Sequence, residues 1–210
     1  MRLLHIDSSV SGGASVSRQL SAAIVTALTA AAPGLEIIQR DLDTDPLPHL
    51  DSGLLPAIRP DPTSDPATRV IDEQGAAALE EFLGADIVVI GTPMYNFTIP
   101  TQLKAWLDRI IIAGKTFRYT ETGPIGLAAG KKVIIASSRG GLYAPGMPFA
   151  ANDFQEPYLR AILGFIGITD IEVVRAEGVA YGPEHREAAM RAALASVPSV
   201  VAGLVPAKAA

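Results

Sequence analysis

The sequence predicts an α/β protein built on a doubly wound parallel sheet, and three observations indicate this class. Short runs of branched apolar residues, typical of strands buried on both faces, alternate with stretches that carry apolar residues at helical spacing. A loop rich in Ser and Gly follows the first strand, and an aromatic loop follows the central strand. With 210 residues, 49% of them hydrophobic, we expect a single domain over residues 1–210.

The first part of the chain is predicted to form a β-loop-α-β unit. Residues 2–7 form the first strand, a helix begins at about Arg18 and ends before Pro33, and residues 35–41 form the second strand. Residues 43–66 contain six prolines and predict an irregular insertion that serves as a lid, a binding loop or a partner surface. A helix is then expected from Pro66 to about Leu83.

The central stretch is predicted to be a buried strand, an aromatic loop and a helix. Residues 87–91 form the strand, which we expect Pro93 to end, and a helix follows from Pro100. Residues 94–97, Met-Tyr-Asn-Phe, therefore lie at the carboxyl end of a strand, where open α/β sheets bind their ligands. Such a flat apolar wall, edged by backbone N–H groups, suits a planar heteroaromatic ring.

The remaining elements continue the alternation of strands and helices. Predicted in order are a surface excursion with a small hairpin at 114–130, a strand at 132–138, a loop at 139–153, a helix at 154–165, a strand at 170–175 and a helix from 183 to about 196.

Composition excludes several classes of function. A net charge of −5 without a basic run argues against nucleic-acid binding, and the lack of cysteine excludes disulfides, thiol nucleophiles and Fe–S clusters. His5, His49 and His185 are not at metal-ligand spacing, and no nucleophile elbow is present. The apolar run at the N-terminus is too short for the core of a signal segment, and no apolar membrane span is found, so a cytoplasmic protein is expected. With no catalytic side chain assigned, a cofactor is expected to perform the chemistry.

The first βα turn, residues 8–17, is a candidate phosphate site. Hydroxyl groups of Ser9, Ser15 and Ser17 would join the N–H groups at a helix N-terminus, which together favour an anion. The alternative is an N-cap serine within a flexible loop, and composition leaves both interpretations open. The turn lacks the GxGxxG spacing of dinucleotide-binding proteins, so Asp41 is expected to be a solvated strand end.

A second loop, Ser138-Arg139-Gly140-Gly141, leaves the strand that follows the central one. Paired glycines let a backbone approach a ligand closely, although glycines also mark an ordinary strand-ending turn. Gly114-Lys115-Thr116 copies the end of a P-loop, but it follows a helix and Arg109 stands where the motif needs glycine. Nucleoside triphosphate binding is therefore rejected.

The order and content of the motifs identify a family resemblance. PMYNF, then QLKxxxD, AGxTFRYTExGPxGL, SRGG, LGFIGITD and AEGxAYGP resemble the FMN-dependent NADH azoreductases, also described as quinone oxidoreductases, between Ser8 and Pro183. The resemblance implies a flavodoxin-like sheet of order 2-1-3-4-5, FMN as cofactor and NADH as donor. It also implies ping-pong hydride transfer to quinones and azo compounds, and a homodimer.

The resemblance also implies roles for particular residues. The cofactor-binding set is Ser9, Ser15, Val16, Ser17, Met94, Tyr95, Asn96, Phe97, Ser138, Arg139, Gly140 and Gly141. Substrate contacts are expected from Arg59 in the insertion, Tyr119, Tyr143 and Phe165, although Phe165 also suits the helix core and Tyr119 the packing of its own hairpin. Tyr143 stands near a position where family members carry histidine.

Two other classes of function, an electron carrier and a hydrolase, are alternatives to an oxidoreductase. A flavodoxin-like electron carrier would exchange single electrons with protein partners over an acidic face, whereas this chain has a mild acidic excess and a lid-like insertion. A hydrolase would need a nucleophile or a set of metal ligands, and the sequence offers neither. Residues 154–168 are apolar nearly all round, which fits either the implied homodimer or burial under the sheet.

Overall fold

The computed structural model describes residues 1–52 and 73–204, which form a central sheet with helices on both faces. In chain order, the strands of the described residues are β1 Arg2–Asp7, β2 Glu36–Asp41, β3 Ile87–Pro93, β4 Phe117–Thr120, β5 Gly123–Gly126, β6 Lys132–Ser138 and β7 Asp170–Ala176. Five of them form a parallel sheet in the order β2-β1-β3-β6-β7, and β4 and β5 form an antiparallel hairpin. Without the hairpin, this is the predicted order 2-1-3-4-5, so the predicted fold class is confirmed.

Five α-helices of the described residues cover the sheet: α1 Val16–Ala31, α2 Glu73–Gly84, α3 Thr101–Ile110, α4 Gln155–Phe165 and α5 Pro183–Ala202. Apolar residues of α1 and α5, such as Leu20 and Val197, pack on one face of the sheet. The other face is covered by α2, α3 and α4, where Phe82 meets Trp106 edge to face at 5.9 Å between ring centroids. Each helix thus buries one apolar stripe, as an amphipathic surface helix does.

Several helix and strand ends differ from the predicted ones. The first helix begins two residues early, at Val16, because Ser15 caps it by accepting a hydrogen bond from Arg18 N at 3.3 Å. The central strand runs on through Pro93, which is in register with Ser138. The strand predicted to end at residue 175 ends at Ala176, and α5 continues to Ala202. The predicted helix start at Pro66 lies outside the described residues.

The predicted small hairpin is confirmed, and it is fixed against the end of α4. Gly126 approaches the backbone so closely that a Cβ there would lie 2.1 Å from Gly167 N. Ala128 N also donates to Ile166 O at 2.9 Å. The hairpin is therefore a rigid extension of the fold. Across the described parts of the chain, no helix has the length and apolar character needed to cross a bilayer.

Candidate functional site

Three loops meet at the carboxyl edge of the sheet, one after each of β1, β3 and β6. Ser8 follows β1 and donates from both its N–H and its Oγ to Gly91 O in β3, at 3.0 and 2.9 Å. Met94 follows β3, and its N–H donates to Ser138 O at the end of β6, at 2.7 Å. Because the three strands are parallel neighbours, their loops emerge side by side.

The β1 loop ends at the N-terminus of α1 in a form suited to an anion. Ser15 and Ser17 are buried, and their hydroxyl oxygens lie 3.1 Å apart at the start of the helix. The amides of Val16 and Ser17 belong to the first helical turn, whose N–H groups have no partner within a helix. Two hydroxyls and two amides thus converge where the helix dipole is positive.

Arg18 holds this loop in place through hydrogen bonds to its backbone. Its Nε and Nη2 atoms donate to Ser9 O at 3.0 and 2.8 Å, and its guanidinium also forms a bidentate pair with Asp41 at 2.7 and 2.6 Å. The hydrogen bond from Arg18 holds the pKa of Asp41 below its usual range, and the bond to Asp41 raises the pKa of Arg18. The expectation that Asp41 is a solvated strand end is therefore wrong, because Asp41 anchors the arginine that fixes Ser9.

The β3 loop is a tight two-residue turn with strained backbone. Tyr95 N donates to Thr98 O at 2.9 Å and Thr98 N donates to Tyr95 O at 3.1 Å. The residues between them, Asn96 and Phe97, both have positive φ, at 47° and 70°. This is the pattern of a type I′ turn, which glycine and asparagine favour and phenylalanine does not. Phe97 keeps this strained conformation at the carboxyl edge of the sheet, where open α/β folds bind ligands, and this indicates that the turn is functional.

Tyr95 joins the anion end of the site to this aromatic turn. Its hydroxyl oxygen lies 3.3 Å from Ser9 Oγ and accepts a hydrogen bond from Val10 N at 3.3 Å. The serines after β1 and the aromatic residues after β3 therefore belong to one continuous surface.

The β6 loop brings Tyr143 against the same turn. The Tyr143 and Phe97 rings meet edge to face, with 6.3 Å between centroids. A Cβ at Gly141 would lie 3.1 Å from Tyr143 Cε2, which is tighter than an ordinary contact, so glycine allows this close approach. Ser138 accepts from Met94 N and Gly141 lies against Tyr143, so the β6 loop runs beside the β3 loop.

Arg139 lies in this loop, but its polar groups are directed into the protein. The side chain is 1% exposed, and its guanidinium reaches Asp153 Oδ2 at 2.9 Å, Glu177 Oε1 at 3.1 Å and Glu156 Oε2 at 3.4 Å. Nε donates to Ser137 Oγ at 3.1 Å, and Arg139 N donates to Ala176 O at 2.9 Å. Arg139 therefore holds the loop from inside. Sequence reasoning did not identify these carboxylates, or Arg18, as support for the site.

Two of the candidate substrate residues, Tyr119 and Phe165, belong to a separate aromatic group, whereas Tyr143 lies against Phe97. The Phe117 ring lies 5.3 Å from the Tyr119 ring and 4.7 Å from the Phe165 ring, measured between centroids. Tyr119 is 73% exposed on the hairpin, whereas Phe165 is partly buried. Within the described residues, no ring contact joins this group to Phe97 or Tyr143. Arg59 lies outside the described residues.

The sheet, its strand order and the loops at its carboxyl edge define a flavodoxin-like protein. A model of the flavodoxin-like fold family matches residues 1–200. The chain is 55% identical over 199 residues to the FMN-dependent NADH:quinone oxidoreductase of Stenotrophomonas maltophilia (strain K279a), covering 95% of each chain.

Solved structures agree with this relationship. Azoreductase AzrA superposes with a TM-score of 0.87 at 30% identity, over 97% of this chain and 100% of that one. An FMN-dependent NADH-azoreductase from Bacillus anthracis str. Ames Ancestor, solved in complex with FMN, gives a TM-score of 0.85 at 28% identity, over 97% and 99%. The chain belongs to the family of FMN-dependent NADH:quinone oxidoreductases, and the family predicted from the sequence motifs is confirmed.

Proposed function

We propose that the protein is an FMN-dependent oxidoreductase that transfers hydride from NADH to quinones and to aromatic azo compounds. The observation that carries the proposal is the surface joined by Tyr95, whose hydroxyl links Ser9 and Val10 of the β1 loop, which leads into the N-terminus of α1, to the aromatic turn. An anion cradle continuous with an aromatic wall suits a cofactor that has a phosphate at one end and a planar ring at the other. Two of the relatives named above, the Stenotrophomonas maltophilia oxidoreductase and the Bacillus anthracis azoreductase, are FMN-dependent by name, which supports the same cofactor here.

Each group of residues has a role in this proposal. The phosphate is held by Ser9, Ser15, Val16 and Ser17, and the ring is bordered by Met94, Tyr95, Asn96, Phe97, Ser138, Gly140 and Gly141. Arg139 contributes by holding its loop. Backbone amides of Asn96, Phe97 and Gly141 would stabilise negative charge at the pyrimidine edge of the ring, since fixed N–H dipoles need no reorganisation during the reaction.

FMN, when bound, supplies the redox chemistry, accepting hydride from NADH and passing it to the second substrate. The chain's part is to hold the ring with one face open and to exclude water from it. Because one open face serves both reactants, NADH must leave before the quinone or azo compound enters, which gives ping-pong kinetics. No side chain is assigned as acid or nucleophile.

A homodimer belongs to the same proposal. Exposed apolar side chains surround the hairpin and the β6 loop, where Tyr119, Phe149 and Phe154 are 73%, 55% and 58% exposed. Exposed aromatic side chains of this size suit an interaction surface. Tyr119 and Phe165 would then line the substrate face at the interface between two copies. A single domain and a cytoplasmic location complete the proposal.

The first test is an anaerobic visible spectrum of the purified protein reconstituted with FMN. We expect bound FMN to bleach when NADH is added and to recover when a simple quinone follows, while an azo dye loses its colour under the same conditions. Bound FMN that NADH does not reduce would favour an electron carrier. A protein that does not bind FMN would contradict the proposal as a whole.

A matched pair of variants tests the phosphate end. Ser17→Ala removes a buried hydroxyl beside the α1 N-terminus, and the loss of one hydrogen bond to an anion should raise the Kd for FMN about tenfold. Thr26→Ala is the control on the exposed side of the same helix, where Thr26 Oγ1 donates to Ala22 O. Equal FMN affinity in both variants, measured by fluorescence titration, would argue against a phosphate at this position.

A further inference from the structure

The motif Ala176 to Pro183 contributes no residue to the proposed cofactor site, yet its first residues are hydrogen-bonded to the β6 loop. Gly178 N donates to Gly141 O at 2.9 Å, Val179 N to Arg139 O at 3.1 Å and Ala180 N to Gly140 O at 3.1 Å. Three consecutive carbonyl groups of the loop are therefore bound by three consecutive amides. The segment 177–180 acts as a template for the backbone that carries Gly140 and Gly141.

Glu177 connects Arg139, at the start of that loop, with Tyr143, four residues further along it. A single carboxylate oxygen, Oε1, accepts from Arg139 Nη1 at 3.1 Å and from Tyr143 N at 3.1 Å. Arg139 is buried, and the Glu177 side chain is 14% exposed, so both bonds are shielded from water. Charge-assisted bonds in such an environment are the strong ones.

The position of the Tyr143 backbone decides what the loop presents to the site. Tyr143 packs on Gly141 and meets Phe97 edge to face, so releasing the Tyr143 amide would free the ring and remove its packing on Gly141, leaving that glycine held only through its carbonyl bond from Gly178 N. We propose that Glu177 is a positioning residue that fixes Gly141 and Tyr143 against the aromatic turn through its bond to the Tyr143 amide. The proposal rests on the proposed function, because it takes the loop that carries Gly141 and Tyr143 to be part of the flavin site.

The other carboxylates on Arg139 do not make this connection. Asp153 pairs with Arg139 and accepts from Gln155 N and Glu156 N at 3.0 and 3.2 Å, which caps α4. Glu156 is shared with Arg160 and Arg175. Asp153, with 13% side-chain exposure, is thus a matched control for Glu177: it has the same charge, the same arginine and similar burial.

The test compares Glu177→Ala with Glu177→Gln, both reconstituted with FMN. Both variants lose the same negative charge, but only glutamine keeps an oxygen acceptor for the Tyr143 amide. We expect a Kd for FMN about tenfold higher in Glu177→Ala than in Glu177→Gln. We also expect the reduction potential of bound FMN to be about 30 mV lower in Glu177→Ala than in Glu177→Gln. For a two-electron couple this is a tenfold change in the equilibrium constant for reduction. The potential should fall because a loosened Gly141 amide stabilises less of the negative charge that reduction adds.

Asp153→Asn controls for charge loss beside Arg139, and its FMN affinity and potential should match those of Glu177→Gln. Glu177→Asp keeps the charge but shortens the reach to Tyr143 N, so it should weaken FMN binding even if Glu177→Ala does not fold. Equal potentials and affinities in the alanine and glutamine variants, with a lower Tm alone in the former, would overturn the positioning role. Wild-type protein that does not bind FMN, or that NADH does not reduce, would instead overturn the proposed function itself.

Discussion

At the scale of single residues, the site is formed by backbone groups that side-chain chemistry holds in place. Positive φ angles at Asn96 and Phe97 turn the backbone after β3, and Arg18 and Arg139 fix the two neighbouring loops from inside. The sequence predicted where the aromatic residues lie, because a buried strand precedes them. It could not predict the supporting arginines, since Arg18 meets Asp41, and Arg139 meets Glu177, only after the parallel strands have aligned.

Phe97 offers a direct measure of the strain in the turn. A side chain at φ 70° costs about 1–2 kcal/mol, which glycine avoids. Phe97→Gly and Phe97→Ala remove the same ring, but only the alanine variant keeps a Cβ. We therefore expect the glycine variant without cofactor to be more stable to urea than the alanine variant by about 1 kcal/mol. Equal midpoints and slopes in urea unfolding would mean that the turn relaxes to negative φ at no cost.

At the scale of elements, tertiary packing decided the ends that local signals misplaced. Pro198 is a reason to end a helix near residue 196, yet α5 continues through it to Ala202 because Val197 and Val201 are buried against the sheet. Pro93 likewise remains in β3 as its last residue, where a missing N–H costs little. Helix and strand centres were predictable from apolar periodicity, whereas their ends depend on which residues the neighbouring layer covers.

The two prolines of α5 give a matched test of that interpretation. Pro198 is exposed within the last turns and deprives the Leu194 carbonyl of its helical donor, so Pro198→Ala should raise the free energy of unfolding by about 1–3 kcal/mol. Pro183 stands at the first turn, where its missing N–H would have no helical partner, so Pro183→Ala should change stability by less than about 0.5 kcal/mol. Guanidinium unfolding followed by circular dichroism measures both. A stabilisation of similar size at both positions would contradict the argument.

At the scale of the whole molecule, one edge of a parallel sheet unites parts of the chain that are far apart in sequence. Ser9 and Tyr95 are separated by 86 residues and meet because β1 and β3 are neighbours. The strand pattern predicted that such an edge exists, but the order of the strands came from the family resemblance, because periodicity carries no information on which strands pair. The aromatic group of Tyr119 and Phe165 remains apart from that edge within one chain.

The ion pairs that support the edge should also make the fold sensitive to acid. The hydrogen bond from Arg18 lowers the pKa of Asp41. Burial acts to raise the pKa of Glu156, but bonds from Arg175 and Arg160 outweigh it and leave that pKa lowered. A carboxylate whose pKa is lower in the folded state stabilises the fold at neutral pH, and this contribution is lost as pH falls through the folded pKa. Stability should therefore decline below about pH 4, where unfolded carboxylates take up protons first.

Removing either carboxylate should remove its share of that decline. Asp41→Asn and Glu156→Gln are each expected to have a lower free energy of unfolding at pH 7 and a shallower loss between about pH 5 and pH 3 than the wild-type protein. The two sites share no described partner, so their effects on the slope should add in the double variant. Urea titrations at a series of pH values give the slopes. An unchanged acid slope in Asp41→Asn would mean that the Arg18 pair does not stabilise the folded state, and that the Ser9 loop is held by its other contacts.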